Sequence, residues 1–170
     1  DVVLADRDGR EALRLPRVCG ITHAGEIGID AQLARLEAAL AGGLRLVQIR
    51  EPALPDADCE RFARAVVERC HAAGALAVVN GDAALARRIG ADGLHLPARS
   101  LMAADRRPDF EWVGASCHSR AELEQAAALE LDYALLGAVR PTQSHPERAS
   151  LGWPAFGELI VRLPLPVFAL

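Results

Sequence analysis

Lysine is absent from this chain. All 19 basic residues among its 170 are arginine, and Schiff-base chemistry requires a side-chain primary amine, so lysine-dependent aldolase mechanisms are excluded. Paired cysteines are also lacking: Cys19, Cys59, Cys70 and Cys117 show neither a C-x-x-C pair nor zinc-ligand spacing. They read as reduced thiols, and no disulfide framework is predicted. No apolar run approaches the roughly 20 residues that span a bilayer, and Asp1 to Arg10 is too charged for a signal peptide. No membrane partner is expected, and the reading is cytoplasmic. The formal charge of -4 carries no basic stripe of the kind that tracks nucleic-acid phosphates, so nucleic acid is excluded and small ligands are left.

What is present is a hydrophobic content of 51%, enough for one domain with its own core. Short apolar runs alternate with longer amphipathic stretches, the rhythm of βα units in a helix-covered parallel sheet. Strands are predicted over Val18–His23, Leu44–Arg50, Leu76–Asn80, Gly93–Leu96, Glu111–His118, Tyr133–Val139 and Pro166–Leu170. Helices are predicted over Asp30–Ala41, with Asp30 as N-cap, from Asp56 to Gly74, and over Ala83–Ile89, Ala121–Leu131 and Gly152–Leu163. The fold class is α/β, a parallel (β/α)8 TIM-barrel type that is incomplete, with about seven strands and the last βα unit missing. Residues 1–17 are expected to be a linker or extension from an upstream domain, and 18–170 a barrel domain truncated at its C-terminus.

Side chains alternate across a strand. With Val47 and Ile49 on the helix side, Gln48 and Arg50 turn inward at the end of the second strand. The same parity turns Asn80 inward on the third strand, and Ser116 and His118 inward on the fifth. Barrel enzymes place their chemistry at these C-terminal strand ends. An arginine with amides and hydroxyls beside it makes a cradle for phosphate or pyrophosphate. The bland alternatives are a salt bridge from Arg50 to a loop carboxylate and a hydrogen-bonded interior histidine at His118.

Five segments carry a resemblance: Leu46-Val47-Gln48-Ile49-Arg50-Glu51, Val79-Asn80, Gly90-Ala91-Asp92-Gly93-Leu94-His95-Leu96, Gly114-Ala115-Ser116-Cys117-His118-Ser119, and Gly137 through Pro141-Thr142. In order, they resemble the thiamine-phosphate synthase and thiazole tautomerase family. The resemblance implies a (β/α) barrel binding a phosphorylated thiazole and, in the synthase branch, coupling it to a pyrimidine pyrophosphate with Mg2+. Against that pattern, Gly81 stands where a metal-binding aspartate is expected, with Asp82 one position on as the remaining metal candidate. Ser100 replaces a second aspartate, and Pro52 and His145 replace two lysines. These losses remove cations and carboxylates that would assist pyrophosphate departure. The resemblance therefore points first to tautomerase-like proton transfer, which requires no metal. In that reading His118 is catalytic, Ser116 and Thr142 orient the ligand, and Gln48, Arg50 and Asn80 line the pocket.

Two further readings come from other classes. Leu13 to Gly28 resembles fusions in which such a barrel follows a Nudix hydrolase domain, which implies a degenerate ligand-binding module with a fused Nudix partner. Alternatively His23, His95, His118 and His145, at strand ends or following loops, form a transition-metal site. A homo-oligomer is left open.

Overall fold

A computed structural model describes residues 15–140 and 150–170; Thr142 and His145 lie outside the described residues. Among the described residues seven strands run in chain order: β1 Gly20–Ile21, β2 Leu46–Ile49, β3 Leu76–Asn80, β4 Gly93–Leu96, β5 Trp112–Cys117, β6 Tyr133–Leu136 and β7 Val167–Ala169. Each pairs in parallel with its sequence neighbour, giving a curled sheet in the order β1 to β7. This is the α/β part-barrel that the alternating pattern predicts.

Local chemistry sets the element boundaries. Helix α3, Asp56–Ala72, buries Phe62, Val66 and Cys70 on one face, and carries Asp56 and Asp58 in its first turn and Arg69 and His71 in its last. That charge order suits the helix dipole. Helix α4, Ala83–Ile89, starts on the Asp82 side chain and stops at Gly90 in the left-handed conformation. Helix α6, Arg120–Ala128, begins with a Ser119–Glu122 capping box. Helix α7 spans Gly152–Ile160.

Three features differ from the sequence expectation. Helix α2, Ile29–Ala41, is preceded by Gly28 at φ 89°, so Asp30 lies in the first turn and is not the cap. Two short helices, α1 Ala24–Ile27 and α5 Ala98–Met102, are too brief to give a helical period in sequence. Most strands are also shorter than predicted, β1 having two residues.

Alternation across the sheet divides the core. Val47, Ile49, Ala77 and Val79 pack under α2, α3 and α4, and Val113, Ala115, Cys117 and Leu136 pack under the later helices. The opposite parity builds an inner cluster of Leu46, Val78, Trp112, Tyr133 and Leu135, with Leu15 and Phe168 against it. At the N-terminal strand ends, aspartates tie neighbouring strands together. Asp92 accepts the Ala77 amide at 2.7 Å, and Asp132 accepts the Val113 amide at 2.6 Å and an Arg107 guanidinium N–H at 2.7 Å. That face is structural.

Glycine makes the interior possible at one point. Gly114 lies between His95 and Tyr133 in the sheet register, and a β-carbon there would come within 2.1 Å of Tyr133 Cζ. The tyrosine ring therefore crosses the glycine.

Candidate functional site

The polar inward positions form a gradient of depth toward the C-terminal mouth. Gln48 and His95 are fully buried, Asn80 and Ser116 half-buried, and Arg50 and His118 exposed at the rim. Parity therefore places Gln48, Asn80 and Ser116 on the interior side of β2, β3 and β5. The Gln48 amide nitrogen has no hydrogen-bond partner among the described residues. A buried donor left open at the base of a polar mouth is a group available to a ligand.

Backbone bonds hold the first two strand ends together. Thr22 donates its amide to Gln48 O at 3.0 Å, and its hydroxyl accepts the Arg50 amide at 3.0 Å. Both Glu51 carboxylate oxygens are occupied, accepting the amides of Ala24 at 2.7 Å and Gly25 at 2.9 Å. Gln32 accepts the His23 amide at 3.1 Å. Arg50 is thus fixed through its backbone, while its guanidinium has no ion-pair or hydrogen-bond partner among the described residues. The expected alternative, a salt bridge to a loop carboxylate, does not occur among them.

His118 follows β5, and its Nδ1 lies 2.9 Å from the Gly137 carbonyl oxygen. A carbonyl only accepts, so Nδ1 carries a proton and, in the neutral ring, Nε2 is left as a proton acceptor. Its amide is held by the Glu122 carboxylate.

His95 sits below this rim. Its Nδ1 is 3.1 Å from the Tyr133 hydroxyl and its Nε2 2.9 Å from Ser116 Oγ. Burial, reinforced by the charge of Arg50, pulls its pKa down to about 3, so the ring is neutral. Burial pushes the Tyr133 phenol well above its usual value, so it keeps its proton. Sequence reading missed Tyr133 altogether. The available signal was its inward parity, shared with Leu135, opposite a glycine.

Asp82 is not brought into this group: its carboxylate accepts the Leu85 amide at 2.8 Å. Ser100 lies exposed within α5. Among the described residues no three His, Cys, Asp or Glu side chains gather as a metal site. Of the four histidines read as metal candidates, His95 has both ring nitrogens engaged and His118 has one, and His145 lies outside the described residues.

Comparison with known proteins gives this geometry a family. Residues 18–170 match the family described as thiamine monophosphate synthase. The chain belongs to the thiamine-phosphate synthase family. It is 38% identical over 146 residues to a thiamine-phosphate synthase from Thioalkalivibrio sulfidiphilus, covering 84% of this chain and 69% of that protein. It is 43% identical over 141 residues to one from Chromobacterium violaceum, covering 79% and 68%. Among solved structures, thiamine phosphate pyrophosphorylase from Pyrococcus furiosus matches with a TM-score of 0.72 at 20% identity, covering 91% of this chain and 74% of that one. Membership in the thiamine-phosphate synthase family thus favours the synthase branch over the tautomerase branch that residue losses alone suggested. Among the described residues no helix is long and apolar enough to cross a membrane.

Proposed function

We propose that this chain is the barrel of a thiamine-phosphate synthase, transferring a pyrimidine from its pyrophosphate to thiazole phosphate. The family match over residues 18–170, with relatives of that name at 38% and 43% identity, carries the proposal. In the reaction a carbon–nitrogen bond forms between pyrimidine methylene and thiazole nitrogen, and the methylene–oxygen bond to pyrophosphate breaks. The open Gln48 donor and the half-buried Asn80 amide suit the polar edge of a heteroaromatic ring. The Arg50 guanidinium, which has no partner among the described residues, suits anionic oxygens. Ser116 adds a hydroxyl, and Thr142 keeps the ligand-orienting role assigned from sequence.

Magnesium, which the synthase branch implies, would neutralise charge on departing pyrophosphate. The described residues do not fit it: Asp82 caps α4 and Ser100 stands in place of a carboxylate.

Tautomerase-like proton transfer is the second reading, favoured by the single observation that Gly137 fixes the His118 Nδ1 proton and leaves Nε2 to accept one. One assay separates the readings. The intact gene product is offered pyrimidine pyrophosphate with thiazole phosphate, and in parallel the unrearranged thiazole tautomer. Formation of thiamine phosphate is expected; tautomerisation without it would give the site to the second reading. Binding without either turnover would make the barrel a ligand-binding module.

A further inference from the structure

Behind the mouth, the half-buried Ser116 joins the fully buried His95 and Tyr133 in a set of three side chains with one consistent arrangement of protons. His95 has two ring nitrogens, each with one partner: the Tyr133 hydroxyl at Nδ1 and Ser116 Oγ at Nε2. A neutral imidazole donates from one nitrogen and accepts at the other.

If Nδ1 carried the proton, it would donate to the phenol oxygen. The Tyr133 O–H would then need another acceptor. Tyr133 is fully buried and has no other hydrogen-bond partner among the described residues, so this arrangement strands a donor in the core, which is costly. If Nε2 carries the proton, Tyr133 donates to Nδ1 and Nε2–H donates to Ser116 Oγ. Every polar hydrogen of the buried pair is then satisfied. The Ser116 hydroxyl proton is left to point away from His95, where no described residue accepts it.

We propose that Tyr133 and His95 are positioning residues that fix the Ser116 hydroxyl as a donor toward an anionic oxygen of the ligand. Although Ser116 and His95 are in contact, they are not a nucleophile and its base, because the nitrogen facing the serine already holds a proton. Depression of the His95 pKa agrees, since a ring this reluctant to take a second proton is a poor base. The anionic character of the ligand rests on the synthase reading. The direction of the relay does not.

Two measurements on the full chain test this. In protein labelled with 15N-histidine, His95 is expected as the Nε2–H tautomer at neutral pH, identified by loss of its signals in His95→Asn. The Nδ1–H tautomer overturns the relay. Affinity for inorganic pyrophosphate is then measured in Tyr133→Phe, Ser116→Ala and the double variant. Phenylalanine keeps the ring that crosses Gly114, and a lost hydrogen bond corresponds to a fall of roughly fivefold. Because Tyr133 acts through Ser116, the double variant should bind no more weakly than Ser116→Ala alone.

Additive losses overturn the positioning role, and wild-type protein that fails to bind pyrophosphate overturns the anion assignment. Non-additive losses with the Nε2–H tautomer, in protein that makes no thiamine phosphate, would sink the synthase reading and leave the relay standing. Should Tyr133→Phe not fold, the wild-type tautomer still decides the direction.

Discussion

The Asp82 carboxylate accepts the Leu85 amide at 2.8 Å and so caps α4. A cap tolerates asparagine but not alanine. Asp82→Ala is expected to lower stability by about 1 kcal/mol and Asp82→Asn by little, read from urea denaturation midpoints. Equal losses in both variants would show that the negative charge, and not capping, is what the position supplies.

The depressed His95 pKa makes a statement about acid stability. The unfolded chain takes up a proton on this ring below about 6.5; the folded chain does so only near 3. Unfolded protein therefore binds more protons between those values, and stability is lost as pH falls through that window. The slope from this one group is about 1.4 kcal/mol per pH unit. A His95→Asn variant should decline less steeply than wild type between pH 6 and 4.5 in chemical denaturation, a window chosen within those limits. Parallel curves would mean that His95 protonates readily in the fold.

Gln48 combines full burial with an amide nitrogen that has no partner among the described residues. Replacing it with methionine removes the unsatisfied donor, so Gln48→Met should raise the stability of the ligand-free protein, by about 1 kcal/mol. The same change should weaken ligand binding and turnover. A thermal melt and a turnover assay check the pair of effects, and a variant that is less stable would place the amide in an unseen structural bond.

Much of this site was legible because parity and punctuation are local. Residues 76–80, 83–89 and 93–96 match their predicted bounds, where Asp82 and Gly90 mark the ends of the helix between two strands. Gln48, Asn80 and Ser116 follow from alternation alone. Helices α1 and α5 were not legible, since four or five residues carry no period. Nor was the role of Glu51, whose partners Ala24 and Gly25 open α1, more than twenty positions earlier. His95 was visible as part of a motif, but its partner Tyr133, 38 positions away, is brought to it only by strand order.

Glu51 offers a separate test of how the start of α1 is held. Its two oxygens hold the amides of Ala24 and Gly25, and Ala24 is buried. Glu51→Ala should speed hydrogen exchange at both amides on the order of tenfold while leaving the amides of β4 and β5 unchanged. Unchanged exchange at Ala24 would show that the start of α1 is held by packing.

The ring of Tyr133 crosses Gly114 where no β-carbon could stand. Neither residue would be singled out by its chemistry, one having no side chain and the other being the chain's sole tyrosine, buried far from the rim. Their geometry nevertheless makes them a single unit of variation. A substitution that adds bulk at 114 must be matched by a smaller residue at 133, and the phenol that reaches His95 goes with it. The two positions should therefore change together or not at all, and a barrel of this kind that has lost the glycine will have rewired the serine at its mouth as well.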